Sequence, residues 1–258
     1  MRDDERRRNG VTTMTGERAP DAAPANASYV DRRERLRHYF DRTAADTWAN
    51  LTSDAPVSRI RRTVRAGRDE MRGAILERMP EDLQGLRVLD AGCGTGGLCI
   101  EAARRGASVV GIDVSPTLVD IARERTPAEL RERIRYEAGD MLATGGEPFD
   151  RIVAMDSVIH YEPEDLVAAV GALLGRLRDV DARLLFTFAP STLPLEAMNA
   201  IGKLFPRGDR SPRIEPIRES MLSLMIGRRD ATRDARILGT RAVSSGFYKS
   251  TLMELAPR

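Results

Sequence analysis

Two carboxylates and a run of glycines stand closest to chemistry in this chain. The stretch from Gly85 to Gly97 reads GLRVLDAGCGTGG. Val88 and Leu89 close a short apolar run, Asp90 follows, and the chain then turns through residues that are almost all small. This is the pattern of a buried parallel strand emptying into a tight turn ahead of a helix. Leu98, Ile100, Ala102 and Ala103 give that helix its apolar positions, and Gly106 ends it. Glycine has no Cβ, so the N–H groups of such a turn can lie close against a ligand, and the helix N-terminus adds partial positive charge. A second carboxylate, Asp113, ends the run Val109-Val110-Gly111-Ile112, where it could take the hydroxyls of a ribose. Gly92, Gly94 and Gly97 also satisfy the dinucleotide pattern G-x-G-x-x-G, which alone is a weak signal.

Asp90 separates the possible ligands. A carboxylate directly before the glycines would repel a pyrophosphate, but it suits the amino group and sulfonium of S-adenosylmethionine. A glycine turn with no ligand would leave Asp90 and Asp113 unexplained. At these residues the chain resembles the class I methyltransferases, whose first motif reads much like VLDAGCGTG.

The elements that must position these groups follow from periodicity. Strands are expected near 86–90, 108–113, 133–137, 150–155 and 183–188, with helices at about 95–105, 115–125 and 163–178 between them. This alternation is the signature of a doubly wound α/β sheet. Residues 1–28 mix charges with Ala, Pro and Thr and lack apolar periodicity, so they read as a disordered extension; whether the chain starts at Met1 or Met14 stays open. Residues 29–80 form a helical arm. Leu36, Tyr39, Phe40, Thr43, Ala44 and Trp48 share one face, and a second helix over about 56–79 carries Val57, Ile60, Val64, Met71, Ile75 and Met79 as its stripe. The opposite face bears Arg59, Arg61, Arg62, Arg65, Arg68 and Arg72, either a solvated surface or a greeting for an anionic substrate. Residues 81–189 make the core. Prolines punctuate 190–228, which reads as an inserted cap over the strand ends or as an ordinary helical connection. Its two short helices would carry Leu195, Met198, Ile201, Gly202 and Phe205, then Ile217, Met221, Leu224 and Met225. Residues 235–243 and 247–255 add two strands that turn at Ser244-Ser245-Gly246.

Composition excludes several functions. With 41 basic against 39 acidic residues in 258, a general nucleic-acid binder is not expected. No apolar run approaches the roughly 18 residues of a membrane span. The two cysteines, Cys93 and Cys99, have a spacing that suits neither zinc nor a structural disulfide, which reads as a reduced, cytoplasmic protein. His38 and His160 are the only histidines, so no protein-held metal is expected.

A closer resemblance emerges along residues 37–258. HYFDRTAADTW, LTSDAPVSRIRRTVRAGRD, LDAGCGTGGL, MDSVIHY, FTFAP, LFPRGDRSP and SSGFY are similar to successive landmarks of the magnesium-protoporphyrin IX O-methyltransferase family. The resemblance implies a Rossmann-like methyltransferase sheet carrying an N-terminal arm and a helical cap. It implies S-adenosylmethionine as methyl donor and a propionate of Mg-protoporphyrin IX as acceptor, in (bacterio)chlorophyll synthesis. The cofactor set it implies is Asp90, Ala91, Gly92, Cys93, Gly94, Asp113, Val114, Asp140, Met141 and Asp156, with Asp140 taking the adenine amino group and Met141 packing on its face. Asp156, Ser157, His160 and Tyr161 follow the fourth strand and should face the methyl group. Tyr39 and His160 are the catalytic candidates, positioning the propionate through O–H and N–H, with axial contact of His160 to the magnesium as the alternative; a purely structural His160 or Tyr39 also remains open. Tyr161, Phe205, Arg207, Arg210 and Arg213 are the substrate candidates, the arginines for the second propionate. The magnesium arrives inside the substrate. A magnesium-chelatase subunit as porphyrin donor and peripheral contact at the inner membrane face are further implications. Two rivals stay open: a methyltransferase for a quinone or phenol, and a non-catalytic module binding S-adenosylmethionine or a porphyrin.

Overall fold

The computed structural model describes residues 26–43, 48, 50–53, 56, 58–143, 145–191 and 213–258. Seven strands form one sheet in the order β3-β2-β1-β4-β5-β7-β6. The first five, β1 (Arg87–Ala91), β2 (Ser108–Asp113), β3 (Ile134–Ala138), β4 (Arg151–Ala154) and β5 (Arg183–Phe188), run parallel. A parallel sheet is covered on both faces, so its strands read as near-continuous apolar runs. Val88, Leu89, Ile152, Val153, Leu184 and Leu185 are accordingly sealed from solvent. β6 (Arg236–Ser245) and β7 (Tyr248–Ala256) form a hairpin, and β7 inserts antiparallel between β5 and β6. The chain winds outward from β1 to β3 and returns to β4 on the other side of β1. Asp90 lies in register with Gly111 of β2 and Val153 of β4, so it stands at the reversal of strand order, where α/β sheets bind ligands.

Helices cover both faces. α1 (Ala27–His38) takes in the last two residues of the stretch 1–28 expected to be disordered, and continues into a π-helical turn over Tyr39–Thr43. α2 (Arg59–Leu76), opened by Ser58 whose hydroxyl accepts from the Arg61 N–H at 3.4 Å, lays Met71 and Ile75 into the core. α3 (Gly97–Arg104) and α4 (Pro116–Arg125) join α2 on one face; Ser115 caps α4 by accepting from the Leu118 N–H, with Pro116 in the first turn. α5 (Pro163–Leu174) and α6 (Glu219–Arg228) cover the other face, where Tyr29 and Leu36 of α1 also pack.

Two expectations change. The stripe over Ile217, Met221, Leu224 and Met225 holds only in part: Ile217 is buried and Met225 packs against the core, but Leu222 and Ile226 are buried while Met221 and Leu224 are about half exposed. These buried residues turn α6 into the core cluster that α5 shares, so this half of the expected cap is a layer of the fold and not a cover over the strand ends. The other cap helix, with Leu195 to Phe205, and most of the loop PRGDRSPRIEP lie outside the described residues, as does nearly all of 1–28.

Candidate active site

The site begins with the turn after β1. Gly92 has φ +91°, and a Cβ on it would stand 2.3 Å from the Cβ of Ser157, a conflict that only glycine avoids. The Ser157 hydroxyl donates to the Ala91 carbonyl at 2.7 Å, which ties the loop after β4 to the glycine turn. The Gly92 and Cys93 N–H groups donate to the Ile112 carbonyl at 2.8 and 3.0 Å. Gly94, at φ +52°, donates its N–H to Asp113 Oδ2 at 2.8 Å. Asp113 Oδ1 accepts from the Ser115 N–H at 2.9 Å, so each oxygen is oriented by one backbone donor and keeps a lone pair. Burial raises the Asp113 carboxyl above the ordinary carboxylate range, against the pull of those two N–H groups.

Asp90 is 2 % exposed. Burial is the main cause that pushes its carboxyl up to about 7; the Cys99 thiol, donating at 3.2 Å, and Arg68 act the other way, and Asp113 adds to the rise. The site therefore holds a carboxylate that lacks enough positive charge and would gain from a cationic ligand. Cys93 and Cys99 are buried free thiols. The Cys99 hydrogen bond lowers Cys93, but burial and the two carboxylates outweigh it at about 11, so the pair is inert packing at neutral pH.

One cleft gathers most of the residues that the sequence singled out. Asp90, Gly92, Cys93, Gly94, Asp113, Val114, Asp140, Met141, Asp156, His160 and Tyr161 all line it. Ala91 does not; its methyl is sealed in the core and only its carbonyl serves the site. Tyr39 is not a lining residue either. The π-helical turn sets its ring edge-on to Phe40 at 5.2 Å and brings Phe40 to the cleft, 6.4 Å from the His160 ring. Arg213 is mostly exposed and paired with Glu215 at 3.1 Å, away from the lining. Phe205, Arg207 and Arg210 lie outside the described residues.

Three candidates have partners that sequence reasoning missed. Asp140 accepts from the Tyr29 hydroxyl at 2.7 Å, from Arg33 at 2.6 Å and from the Leu142 N–H at 2.9 Å, so α1 holds the group expected at the adenine. Tyr161 is covered by Tyr29, the rings stacked at 4.6 Å. Asp156 is the one non-glycine with positive φ among the described residues, at +54°. Its carboxylate accepts from Arg68 at 2.5 Å, Tyr248 at 3.0 Å, Thr187 at 3.2 Å and Ser250 at 3.5 Å. A strained residue so fully engaged is a hub that fixes its neighbours, not a free acceptor for a cofactor.

His160 also differs from the expectation. Its Nδ1 lies 3.1 Å from the Arg213 carbonyl, which can only accept, so Nδ1 carries the proton. Burial lowers the ring to about 4, with the Arg213 carbonyl opposing that shift. The imidazole is neutral at pH 7 and its Nε2 presents a lone pair, so no ring N–H is left for a carboxylate.

Tyr29, Arg33, Phe40, Trp48 and Arg68 complete the lining. Arg68 packs over the Trp48 ring at 4.7 Å, and Phe40 meets that ring edge-on at 5.5 Å. No group of three His, Cys, Asp or Glu side chains among the described residues could hold a metal ion, and no described helix is long and apolar enough to cross a membrane.

Residues 154–257 match the family model for the magnesium-protoporphyrin IX methyltransferase C-terminus, and 88–179 match a general methyltransferase domain. The magnesium-protoporphyrin O-methyltransferase of Rhodobacter capsulatus is 46% identical over 90% of this chain and 99% of its own length. The chloroplastic magnesium protoporphyrin IX methyltransferase of Arabidopsis thaliana is 30% identical over 87% of this chain and 71% of its own length. Among solved structures, magnesium protoporphyrin IX methyltransferase from Synechocystis PCC 6803 with bound SAH superposes with TM-score 0.73 at 30% identity, covering 88% of this chain and 100% of that one.

Proposed function

The chain belongs to the magnesium-protoporphyrin O-methyltransferase family, and from that premise we propose that it esterifies a propionate of Mg-protoporphyrin IX with the methyl group of S-adenosylmethionine. The products are the monomethyl ester and S-adenosylhomocysteine, a step of (bacterio)chlorophyll synthesis. The observation that carries this reading is the composition of one cleft: a glycine turn with Asp90 and Asp113 at one end, and Phe40, Trp48 and Tyr161 around it.

The residues fit the methyl donor. Asp90 answers its ammonium, the oriented lone pairs of Asp113 suit ribose hydroxyls, and the small residues 92–94 let the backbone approach. Met141 lines the same cleft beside Asp140 and offers its thioether to the adenine face. Bound there, S-adenosylmethionine supplies an electrophilic methyl, which the propionate oxygen takes as the C–S bond breaks and a neutral thioether leaves.

The protein's part is alignment and dehydration. A carboxylic acid of pKa about 4.3 is already ionised at neutral pH, so no strong base is needed. This matches the cleft, whose imidazole is held neutral and weakly basic. Orientation of two bound reactants can contribute about 7–11 kcal/mol. The lone pair of His160 suits the substrate's magnesium better than its carboxylate, so the axial role is the one we assign. Tyr39, ring against ring with Phe40, acts through that neighbour. Arg207 and Arg210 stay proposed as partners of the second propionate, whereas Arg213 is already paired with Glu215. Delivery by a porphyrin-binding chelatase subunit and peripheral membrane contact are proposed with them; the half-exposed Met221 and Leu224 support the latter.

The test is incubation with Mg-protoporphyrin IX and S-adenosylmethionine, read by mass spectrometry. Monomethyl ester and S-adenosylhomocysteine are expected in equal amounts. Methylation of a quinone phenol with no porphyrin ester would overturn the substrate, and cofactor binding without turnover would leave a carrier module.

A further inference from the structure

The group that fixes the His160 tautomer belongs to no helix or strand. The Arg213 carbonyl, 3.1 Å from Nδ1, sits in the irregular strip 213–217 that precedes α6. Two backbone bonds hold that strip: the Glu215 N–H donates to the Ile159 carbonyl at 2.9 Å, and the Ile217 N–H to the Ala189 carbonyl at 3.0 Å. A further hold is electrostatic. Glu215 is 7% exposed, and its Oε1 pairs with Arg213 Nε at 3.1 Å and with Arg32 Nη2 at 3.0 Å. Burial raises the Glu215 carboxyl, and Arg213 and Arg32 oppose the rise. Arg32 lies on α1 and does not line the cleft. It shares a helix face with Tyr29 and Leu36, at three- and four-residue steps. α1 turns that face to the protein: Tyr29 stacks on Tyr161 at 4.6 Å, and Leu36 is buried.

The contacts therefore run from Arg32 through Glu215 and Arg213 to His160. Arg213 cannot anchor the strip by itself, because it is part of the strip and moves with it. Arg32 is the cation that ties Glu215 to a separate element. Without it a buried carboxylate loses half of its positive charge, and the segment must shift to rehydrate it. A carbonyl outside regular structure turns with its peptide plane. Once it leaves Nδ1, the imidazole can move its proton to Nε2, the tautomer that histidine prefers in water, and the cleft loses its lone pair. Resting on the axial assignment above, we propose that Arg32 is a positioning residue for His160: by clamping Glu215 it keeps the Arg213 carbonyl on Nδ1 and the Nε2 lone pair free for the substrate's magnesium. The ring is thus set for a metal only while α1 is seated. The bland alternative is that Arg32 merely pins α1, an ion pair with no bearing on the ring.

His38, exposed on the last turn of α1, and His160 are the only histidines, so nitrogen-15 labelling at histidine gives two ring systems. Two-bond nitrogen–proton correlations on the full chain without substrate read the tautomer directly. Wild type at pH 8 should show His160 protonated at Nδ1 alone. Arg32→Gln should bring up the Nε2–H form. It should also raise KM for Mg-protoporphyrin IX several-fold, with KM for metal-free protoporphyrin and affinity for S-adenosylmethionine near wild type. Arg32→Lys, which keeps a charge for Glu215, should restore most of both readouts. Glu215→Gln leaves no buried carboxylate unpaired; it should move both readouts the same way, and it carries the test if Arg32→Gln does not fold. An unchanged tautomer in the folded variants overturns the proposal, whatever happens to KM or melting temperature, and leaves Arg32 as an anchor of α1. Wild type protonated at Nε2 overturns it as well. A tautomer shift with equal KM changes for the two porphyrins upholds the link from Arg32 and overturns the axial role instead.

Discussion

Asp90→Asn should make the ligand-free protein more stable and the cofactor bind more weakly. The carboxyl goes from 3.8 to about 7 on folding, chiefly through burial. The folded state therefore binds a proton that the unfolded chain has released between about pH 4 and 7. Stability from this group is full below pH 4 and is lost as pH rises through 7. At 1.36 kcal/mol per unit, the shift corresponds to about 4 kcal/mol at pH 8. Asparagine is neutral, nearly isosteric and can accept the Cys99 thiol, so it escapes that cost. Thermal melting without ligand at pH 5 and pH 8 should show the variant gaining on wild type with pH, by several degrees at pH 8, given ~2–4 °C per kcal/mol for a domain of this size. Calorimetry should show the opposite sign for S-adenosylmethionine: at least tenfold weaker binding at pH 8. Wild-type affinity should tighten as pH rises through 7, because the ammonium selects ionised Asp90, and the variant should be flat over that range. A variant less stable than wild type at pH 8, or one with unchanged cofactor affinity, would refute the reasoning.

Asp113→Ala removes a buried acceptor that two backbone N–H groups orient, and it should weaken S-adenosylmethionine at least tenfold, about 1.5–3 kcal/mol; equal affinity by calorimetry would remove Asp113 from the ribose. His160→Ala should raise KM for Mg-protoporphyrin IX several-fold while leaving cofactor affinity and KM for metal-free protoporphyrin near wild type, and equal effects on both porphyrins would sink the axial role. Leu222→Ala should cost about 2–5 kcal/mol in denaturant melts, whereas Leu224→Ala should stay within about 0.5 kcal/mol. Equal losses would mean that the phase of α6 is misassigned.

The parallel strands could be read from the chain because each is buried on both faces and so is a local apolar run; all five fall within about a residue of their expected limits. Asp90, Asp113 and the glycines were legible for a related reason. They sit where such a run stops, and the end of a strand is a local event. The helices were harder. On α6 the sequence offers two overlapping stripes, Met221 with Leu224 and Leu222 with Ile226, and only the position of α5 selects between them. At the end of α1, a π-helical turn slips the register so that Phe40, not Tyr39, enters the cleft, and no residue type marks that slip.

The charged groups were the least legible, and the reason lies in distance along the chain. Asp156 meets Arg68 across 88 positions and Tyr248 across 92. Six arginines stud α2, identical to any local rule, yet their fates diverge. Arg59, Arg61 and Arg62 are exposed, Arg65 donates to the Asn50 and Leu51 carbonyls, and Arg68 enters the cleft. What sorts them is the seating of α2 on the β6–β7 hairpin, where Gly67 faces Tyr248 so closely that a Cβ would stand 2.4 Å from the ring. That glycine lets the helix approach, Tyr248 then reaches Asp156, and Asp156 in turn aims the neighbouring Arg68. The orientation of Arg68 thus follows from a glycine and a tyrosine that carry no chemistry of their own. A larger side chain at Gly67 should therefore push α2 off Tyr248 and lower the melting temperature, and an unchanged melting temperature for Gly67→Leu would refute that seating.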